Sequence, residues 1–275
     1  MRWFKHLPWL LWLTLLTACA SNAIALPPTP TPLLGRITFA GSTTVQPLAD
    51  KLGAAFQAQH PPLQLGIAAG GSVVGIKAMH DGTADIGMAS RALTADEANG
   101  LQQYQIASDV IAIVVNPSNS ITGLTRDQLR DIYLGQLVNW KDLGGPDRMI
   151  VPIARDKNSG TRGAFDELVL SNQEPHSDRL QTAVTAGDMA ALVSSTPGAI
   201  GYVGFGNLDG KLKLLSIDSV TPSPDTVRNK TYQLVRPLLL LTGPLTQPLA
   251  QTYIDFALSP EGQALVEADG WVKVK

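Results

Sequence analysis

Arg36-Ile37-Thr38-Phe39-Ala40-Gly41-Ser42-Thr43-Thr44-Val45-Gln46-Pro47-Leu48-Ala49 is the stretch that decides how the chain is read. Its first five residues make a β-like run closed by glycine, and Val45, Leu48, Ala49, Leu52 and Phe56 then recur at helical spacing. Three hydroxyl side chains stand where strand gives way to helix. The same arrangement returns twice. Leu63 to Ala68 is followed by Gly70-Gly71-Ser72 and a short helical pattern through Ile76 and Met79 that stops at Asp81-Gly82. The run from Ile150 to Ala154 is followed by Asn158-Ser159-Gly160-Thr161 and then by Ala164, Phe165, Leu168 and Val169.

A helix N-terminus presents unpaired N–H groups and roughly half a positive charge, so three such turns brought together make an anion site without bulk basicity. Serine and threonine add rotatable donors, and Arg155, four residues before Ser159, offers a forked cation to the same oxyanion. A single turn of this kind need be no more than a helix cap. Three of them, each at the C-terminal end of a β-like run, point to a ligand, because open α/β sheets bind there.

The remaining pattern agrees with an α/β chain. Val110 to Val115, Ala199 to Val203 and Tyr232 to Leu241 also read as strands, while Thr94…Glu97 and Thr125…Gln128 have capping-box spacing and Ser259-Pro260 opens another helix. No internal repeat is visible. Of 275 residues 44% are apolar and 16% charged, with 21 basic against 23 acidic side chains, a globular composition with no electrostatic footprint for nucleic acid or anionic lipid. Hydrolytic chemistry finds little support: His6 lies in the leader, His60, His80 and His176 are scattered without metal spacing, and neither H-E-x-x-H nor G-x-S-x-G occurs. Gly70 to Gly75 has the glycine spacing of a phosphate loop, but Ile76-Lys77 follows where Lys-Ser/Thr is required. Catalytic residues, metal ligands and cofactors are therefore not expected.

The N-terminus reads as an export signal. Arg2 and Lys5 precede an apolar run from Leu7 to Leu16 that is too short to span a bilayer, and Leu16-Thr17-Ala18-Cys19 resembles a lipobox, in which the cysteine is lipidated and becomes the new terminus. The alternative is plain cleavage at Ala23-Ile24-Ala25. Cys19 is the one cysteine, so the secreted body has neither a disulfide nor a thiolate-held metal. Residues 1–18 are thus expected to be a lipoprotein signal peptide and residues 19–34, rich in proline, an extended tether.

The ordered motifs resemble a known family. Gly41 to Ala49, Gly70 to Ala78, Gly82-Thr83-Ala84-Asp85-Ile86-Gly87-Met88-Ala89-Ser90-Arg91, Val115-Asn116-Pro117, Asp131-Ile132-Tyr133-Leu134-Gly135, Asn139-Trp140, Arg155…Ser159-Gly160-Thr161-Arg162, Gly198-Ala199-Ile200-Gly201-Tyr202 and Ser259-Pro260-Glu261-Gly262-Gln263 are similar, in the same order, to the phosphate-binding lipoproteins of phosphate ABC transporters. The resemblance implies a two-lobed periplasmic-binding-protein fold of type II, closing a cleft around one inorganic phosphate and delivering it to ABC transporter permease subunits. It implies a monomer in the periplasm or on the outer face of the plasma membrane, held there by lipid on Cys19. Carried over by motif, Ser42, Thr43, Ser72, Ser90, Arg155, Ser159, Gly160 and Thr161 hold the anion. One lobe is expected from 35–112 plus 240–275 and the other from 113–239.

Two departures stand out. Some members carry an aspartate where Ser90 stands, to accept the ligand's proton, and Val73 replaces a usual glycine beside Ser72. Another oxyanion, sulfate or molybdate, and a sensing role are the alternatives. Arg91 either reaches the anion or forms a structural ion pair, and Asp85 either accepts a proton or orients neighbouring donors.

Cys19→Ser is expected to leave an unprocessed or unlipidated protein. Mass spectrometry of the wild type showing a mature N-terminus at Leu26 with no lipid would reject the lipobox reading.

Overall fold

A computed structural model describes residues 33–208 and 210–274. The signal peptide, Cys19 and nearly all of the tether lie outside the described residues. In chain order the first half runs β1 (Gly35–Gly41), α1 (Gln46–Gln59), β2 (Leu63–Ala69), α2 (Ser72–Asp81), β3 (Ile86–Ala89), α3 (Ala95–Ala98), β4 (Gln102–Val110), β5 (Ala112–Val115), β6 (Gly123–Leu124) and α4 (Arg126–Tyr133). There follow β7 (Val151–Arg155), α5 (Gly160–Leu168), β8 (Gln181–Ala183), α6 (Ala186–Ser195), β9 (Ala199–Val203), β10 (Lys213–Leu214), β11 (Ser216–Ile217), α7 (Pro224–Arg228), β12 (Val235–Thr242), α8 (Pro248–Leu258) and α9 (Pro260–Ala268).

Two five-stranded mixed sheets carry the fold, in the orders β2-β1-β3-β12-β4 and β10-β5-β9-β7-β8. In the first, β1 lies parallel between β2 and β3, and β12 runs antiparallel to β3 and β4. In the second, β7 is parallel to β8 and β9, and β5 and β9 are antiparallel. Each sheet has its own core. Ile37, Phe39, Leu48, Leu52 and Phe56 join Tyr253 and Ile254 of α8 over the first sheet. Ile113, Tyr133, Trp140, Phe165 and Tyr202 fill the second. The helical stripe Val45, Leu48, Ala49, Leu52 and Phe56 is buried as its spacing predicts. Among the described residues no helix is long and apolar enough to cross a membrane.

The run Val110 to Val115 is not one strand. It breaks at Ile111, with β4 in the first sheet and β5 in the second, because an unbroken apolar run has no pattern by which to show where the backbone changes sheet. The return run begins its ladder at Val235 rather than Tyr232, and the two crossings are tied together by Ile111 N–H donating to Leu234 O at 2.8 Å. The capping boxes at Thr94 and Thr125 form, and Ser259 Oγ accepts from Gly262 N–H at 3.1 Å.

Packing at the C-terminal ends of β1 and β3 is tight enough to require glycine. A Cβ on Gly75 would lie 2.7 Å from both Ala40 O and Met88 O, so α2 sits directly on the sheet and its first residue, Ser72, is placed by that contact. Gly75→Ala is expected to lift α2, costing about 1–3 kcal/mol in urea unfolding and weakening anion affinity in parallel. Wild-type stability in that variant would show that the contact does not position α2.

Candidate functional site

Three of the hydroxyl-bearing turns open helices as the sequence indicates: α1 after β1, α2 after β2 and α5 after β7. They meet. Gly160, the first residue of α5, lies against α2 so closely that a Cβ there would be 2.1 Å from Ser72 Oγ and 2.8 Å from Ser90 Oγ. Val73 N–H donates to Asn158 O at 3.2 Å across the same contact. Two helix N-termini, each carrying positive partial charge, thus abut, an arrangement that favours a negative group nearby. Val73 is accommodated as the second residue of α2 with its side chain at the surface, while Gly71 takes the left-handed φ of 96° that the turn requires.

The hydroxyls are oriented by what they accept. Ser42 Oγ accepts from Thr44 N–H at 3.2 Å and Val45 N–H at 3.3 Å, and Ser159 Oγ caps α5 by accepting from Arg162 N–H at 3.2 Å. Thr43 Oγ1 accepts from Arg155 Nη2 at 3.1 Å and Ala186 N–H at 3.3 Å. Ser72 Oγ accepts from Ser90 N–H at 3.0 Å and lies 3.4 Å from Ser90 Oγ. A hydroxyl whose lone pairs are taken by N–H groups keeps its hydrogen to donate, so Ser42 and Thr43 are left as donors. Ser90 Oγ retains accepting capacity.

Arg155 is the charge of the site. The residue is only 2% exposed, and among the described residues no carboxylate lies within ion-pair distance of it. Neutral acceptors hold it: Nε donates to Ala183 O at 3.3 Å, and Nη2 to Val184 O at 2.9 Å besides Thr43. Its backbone is clamped as well, N–H donating to Tyr202 Oη at 2.9 Å and the carbonyl accepting from Arg162 Nη1 at 3.1 Å. Burial pulls its guanidinium below the ordinary arginine range, opposed in part by Tyr202 and the Asp156 carboxylate. Arg162 behaves oppositely. Its guanidinium is neutralised by Asp166 at 2.7 Å and Glu174 at 2.7 Å, so it positions Arg155 rather than offering a free charge.

The sequence-predicted residues are thus brought together from both sheets: Ser42, Thr43, Ser72 and Ser90 from the first, Arg155, Ser159, Gly160 and Thr161 from the second. Sequence reading missed four neighbours. Thr44 Oγ1 meets Thr161 Oγ1 at 3.0 Å, Tyr202 holds Arg155, and Val184 and the N-terminus of α6 close the side beyond Thr43. The spacing Thr185…Asp188, a capping box in the structure, was the available signal for α6. A surface groove of about 630 Å³ lined by Leu134, Val138, Met149, His176 and Arg179 contains none of these residues, so the chemistry rather than open volume marks the site.

Arg91 and Asp85 resolve as structural. Arg91 pairs bidentately with Glu97 at 2.7 Å and 2.7 Å, and Asp85 Oδ2 accepts from Thr38 N–H at 2.8 Å and Thr38 Oγ1 at 2.7 Å, stapling β1 to the entry of β3.

The periplasmic-binding-protein (PBP) superfamily domain model matches residues 26–261. Phosphate-binding protein PstS of Borreliella burgdorferi is 30% identical over 251 residues, 87% of this chain and 90% of that protein. PstS of Bacillus subtilis is 31% identical over 87% of this chain and 81% of its own length. A Clostridium perfringens structure described as a phosphate ABC transporter substrate-binding protein with bound phosphate superposes with a TM-score of 0.85 at 36% identity, covering 88% of this chain and all of that one.

The hydrogen bonds from Arg91 hold the Glu97 carboxyl below its usual range, so the pair stabilises the fold above that range and the contribution is lost as pH falls through the lowered value. Arg91→Ala is therefore expected to cost about 0.5–1 kcal/mol near neutral pH and nothing once Glu97 is protonated. Phosphate affinity should stay unchanged. Urea unfolding across pH, with a phosphate titration of the same variant, checks both.

Proposed function

The chain belongs to the phosphate-binding proteins of phosphate ABC transporters, within the PBP superfamily, and from that premise we propose that it captures inorganic phosphate between its two sheets and delivers it to a permease. The two sheets with their helices are read as lobes that part at the crossings near Ile111 and Leu234. The observation that carries the reading is Arg155, buried beside converging helix N-termini with no carboxylate partner among the described residues. A buried charge without a counter-ion is costly, and an oxyanion supplies the missing charge.

The proposed ligands are Arg155 and the hydroxyls of Ser42, Thr43, Ser72, Ser90, Ser159 and Thr161, with the Gly160 end of α5 adding its dipole. Capture exchanges Thr43–Arg155 and Thr44–Thr161 for contacts to the anion. Thr44–Thr161 is a neutral hydrogen bond, worth about 0.5–1.5 kcal/mol net, and Thr43–Arg155 one to a charged group, about 1.5–3; the anion returns charged contacts to Arg155 and to the hydroxyls alike, so the exchange favours the bound state. Delivery requires no bond to be made or broken, and the chain acts as a carrier rather than an enzyme. It works outside the cytoplasm as a monomer, anchored by lipid on Cys19.

One observation supports a second oxyanion. The acceptor-saturated hydroxyl of Ser42 offers a donor only, which suits fully deprotonated sulfate or molybdate as well as phosphate. Ser90 Oγ is the acceptor proposed to take the proton of hydrogen phosphate, and a missing acceptor costs about 1–3 kcal/mol, enough for roughly tenfold preference.

Arg155→Ala is expected to weaken phosphate binding by about 2–4 kcal/mol with little change in stability, and Ser90→Asp to sharpen the preference for phosphate. Calorimetric titration at equal ionic strength is the measurement. Unchanged affinity in Arg155→Ala would remove that residue from the site, and wild-type sulfate or molybdate binding tighter than phosphate would move the assignment to another oxyanion.

A further inference from the structure

A second buried cation lies behind the anion site. Arg236, near the start of β12, and Asp109, near the end of β4, form an ion pair at 2.9 Å whose side chains are 1% and 0% exposed. Their positions are particular: each lies within two residues of one of the two crossings between sheets, Ile111 and Leu234. Asp109 Oδ2 takes both Nε and Nη2 of Arg236, and its other oxygen, Oδ1, accepts from Phe205 N–H at 2.9 Å. Phe205 opens the 3-10 turn Phe205–Asn207 directly after β9 of the second sheet, and its ring packs against both cores. One carboxylate therefore ties the two crossing strands of the first sheet to a turn of the second.

That turn is held closely from several sides. A Cβ on Gly204 would lie 2.3 Å from Asp109 Oδ2 and 2.9 Å from Arg236 Nη2, and one on Gly206 would lie 2.3 Å from Cζ2 of Trp271 in the C-terminal segment. Gly204 has φ −87° and ψ 169°, so alanine fits its backbone and only the missing space forbids it. Arg236 Nη1, Trp271 Nε1 and Asn207 Oδ1, two donors and an acceptor around this one turn, are buried without a hydrogen-bond partner among the described residues. Buried polar atoms are nearly always paired, so three without a protein partner at one turn single it out.

We propose that Asp109 is a positioning residue for ligand capture: its carboxylate clasps the turn after β9 to both crossing strands and holds the lobes in the arrangement that retains the anion. Opening breaks the bond from Phe205 N–H to Asp109 Oδ1 while the Asp109–Arg236 pair stays with the first sheet. The inference rests on the two-lobe capture reading above, but it concerns residues outside the anion site.

Gly204→Ala wedges a methyl group into the clasp without altering any charge. The expected result is a phosphate dissociation rate raised about fivefold or more, with association within about twofold, because the retained state is destabilised and the encounter is not. Small-angle scattering of the ligand-free variant should give a larger radius of gyration than the wild type, with unchanged far-ultraviolet circular dichroism. Asp109→Asn should move both readouts in the same direction. A folded Gly204→Ala protein with the wild-type dissociation rate and radius would overturn the clasp, as it would if the orphaned atoms served only to hold a buried water. Should both variants fail to fold, hydrogen exchange in the wild type decides: the Phe205 amide should exchange markedly more slowly with saturating phosphate than without, and equal rates would refute the proposal. The scattering comparison needs no ligand, so it judges the clasp even if phosphate proves not to bind.

Discussion

A guanidinium buried without a carboxylate is the constraint on which the rest of this structure turns. Arg155 sits almost wholly out of water, and the groups that hold it are carbonyls and hydroxyls, which orient a charge but do not cancel it. The other deeply buried arginines are treated differently: Arg162 is matched by Asp166 and Glu174, and Arg236 by Asp109. The contrast within one molecule gives Arg155 its meaning. Its charge has no carboxylate partner among the described residues, and the N-termini of α2, α5 and α6 add to the same positive field.

Apart from Thr43, the groups that fix Arg155 belong to the second sheet and its helices, and most of what faces it comes from the first. Tyr202 on β9 takes its backbone N–H, and Phe165 stacks on Tyr202 with ring centroids 4.1 Å apart, so the clamp is continuous with the second core. Opposite it, Thr43 and Ser72 are placed by the ends of β1 and β2, with α2 pressed onto the sheet through Gly75. A site divided between two sheets responds to their separation, and the chain crosses between the sheets at Ile111 and Leu234, beside the Asp109–Arg236 pair.

The strand-to-helix turns were legible in the sequence because their chemistry is local: Gly41-Ser42-Thr43-Thr44, Gly70-Gly71-Ser72 and Asn158-Ser159-Gly160-Thr161 each record a strand ending, a tight turn and a helix start. What stayed hidden was long-range. Gln102, Gln103 and Gln105 gave no apolar alternation to announce β4, whose pairing with β12 is fixed by tertiary contact. The break at Ile111 was invisible inside an apolar run. Thr44 and Tyr202 gained their roles only when Thr161 and Arg155 arrived beside them, and whether Arg91 was a ligand or half of an ion pair depended on Glu97, six residues away and on the next helix.

A crystal structure of the chain grown with phosphate shows whether the charge of Arg155 is reserved for an oxyanion. One tetrahedral anion is expected within hydrogen-bond distance of the Arg155 guanidinium and of hydroxyls from both sheets, with Arg155 still lacking a carboxylate partner and Arg162 still paired to Asp166. An anion bound elsewhere, with Arg155 turned to a carboxylate, would contradict it.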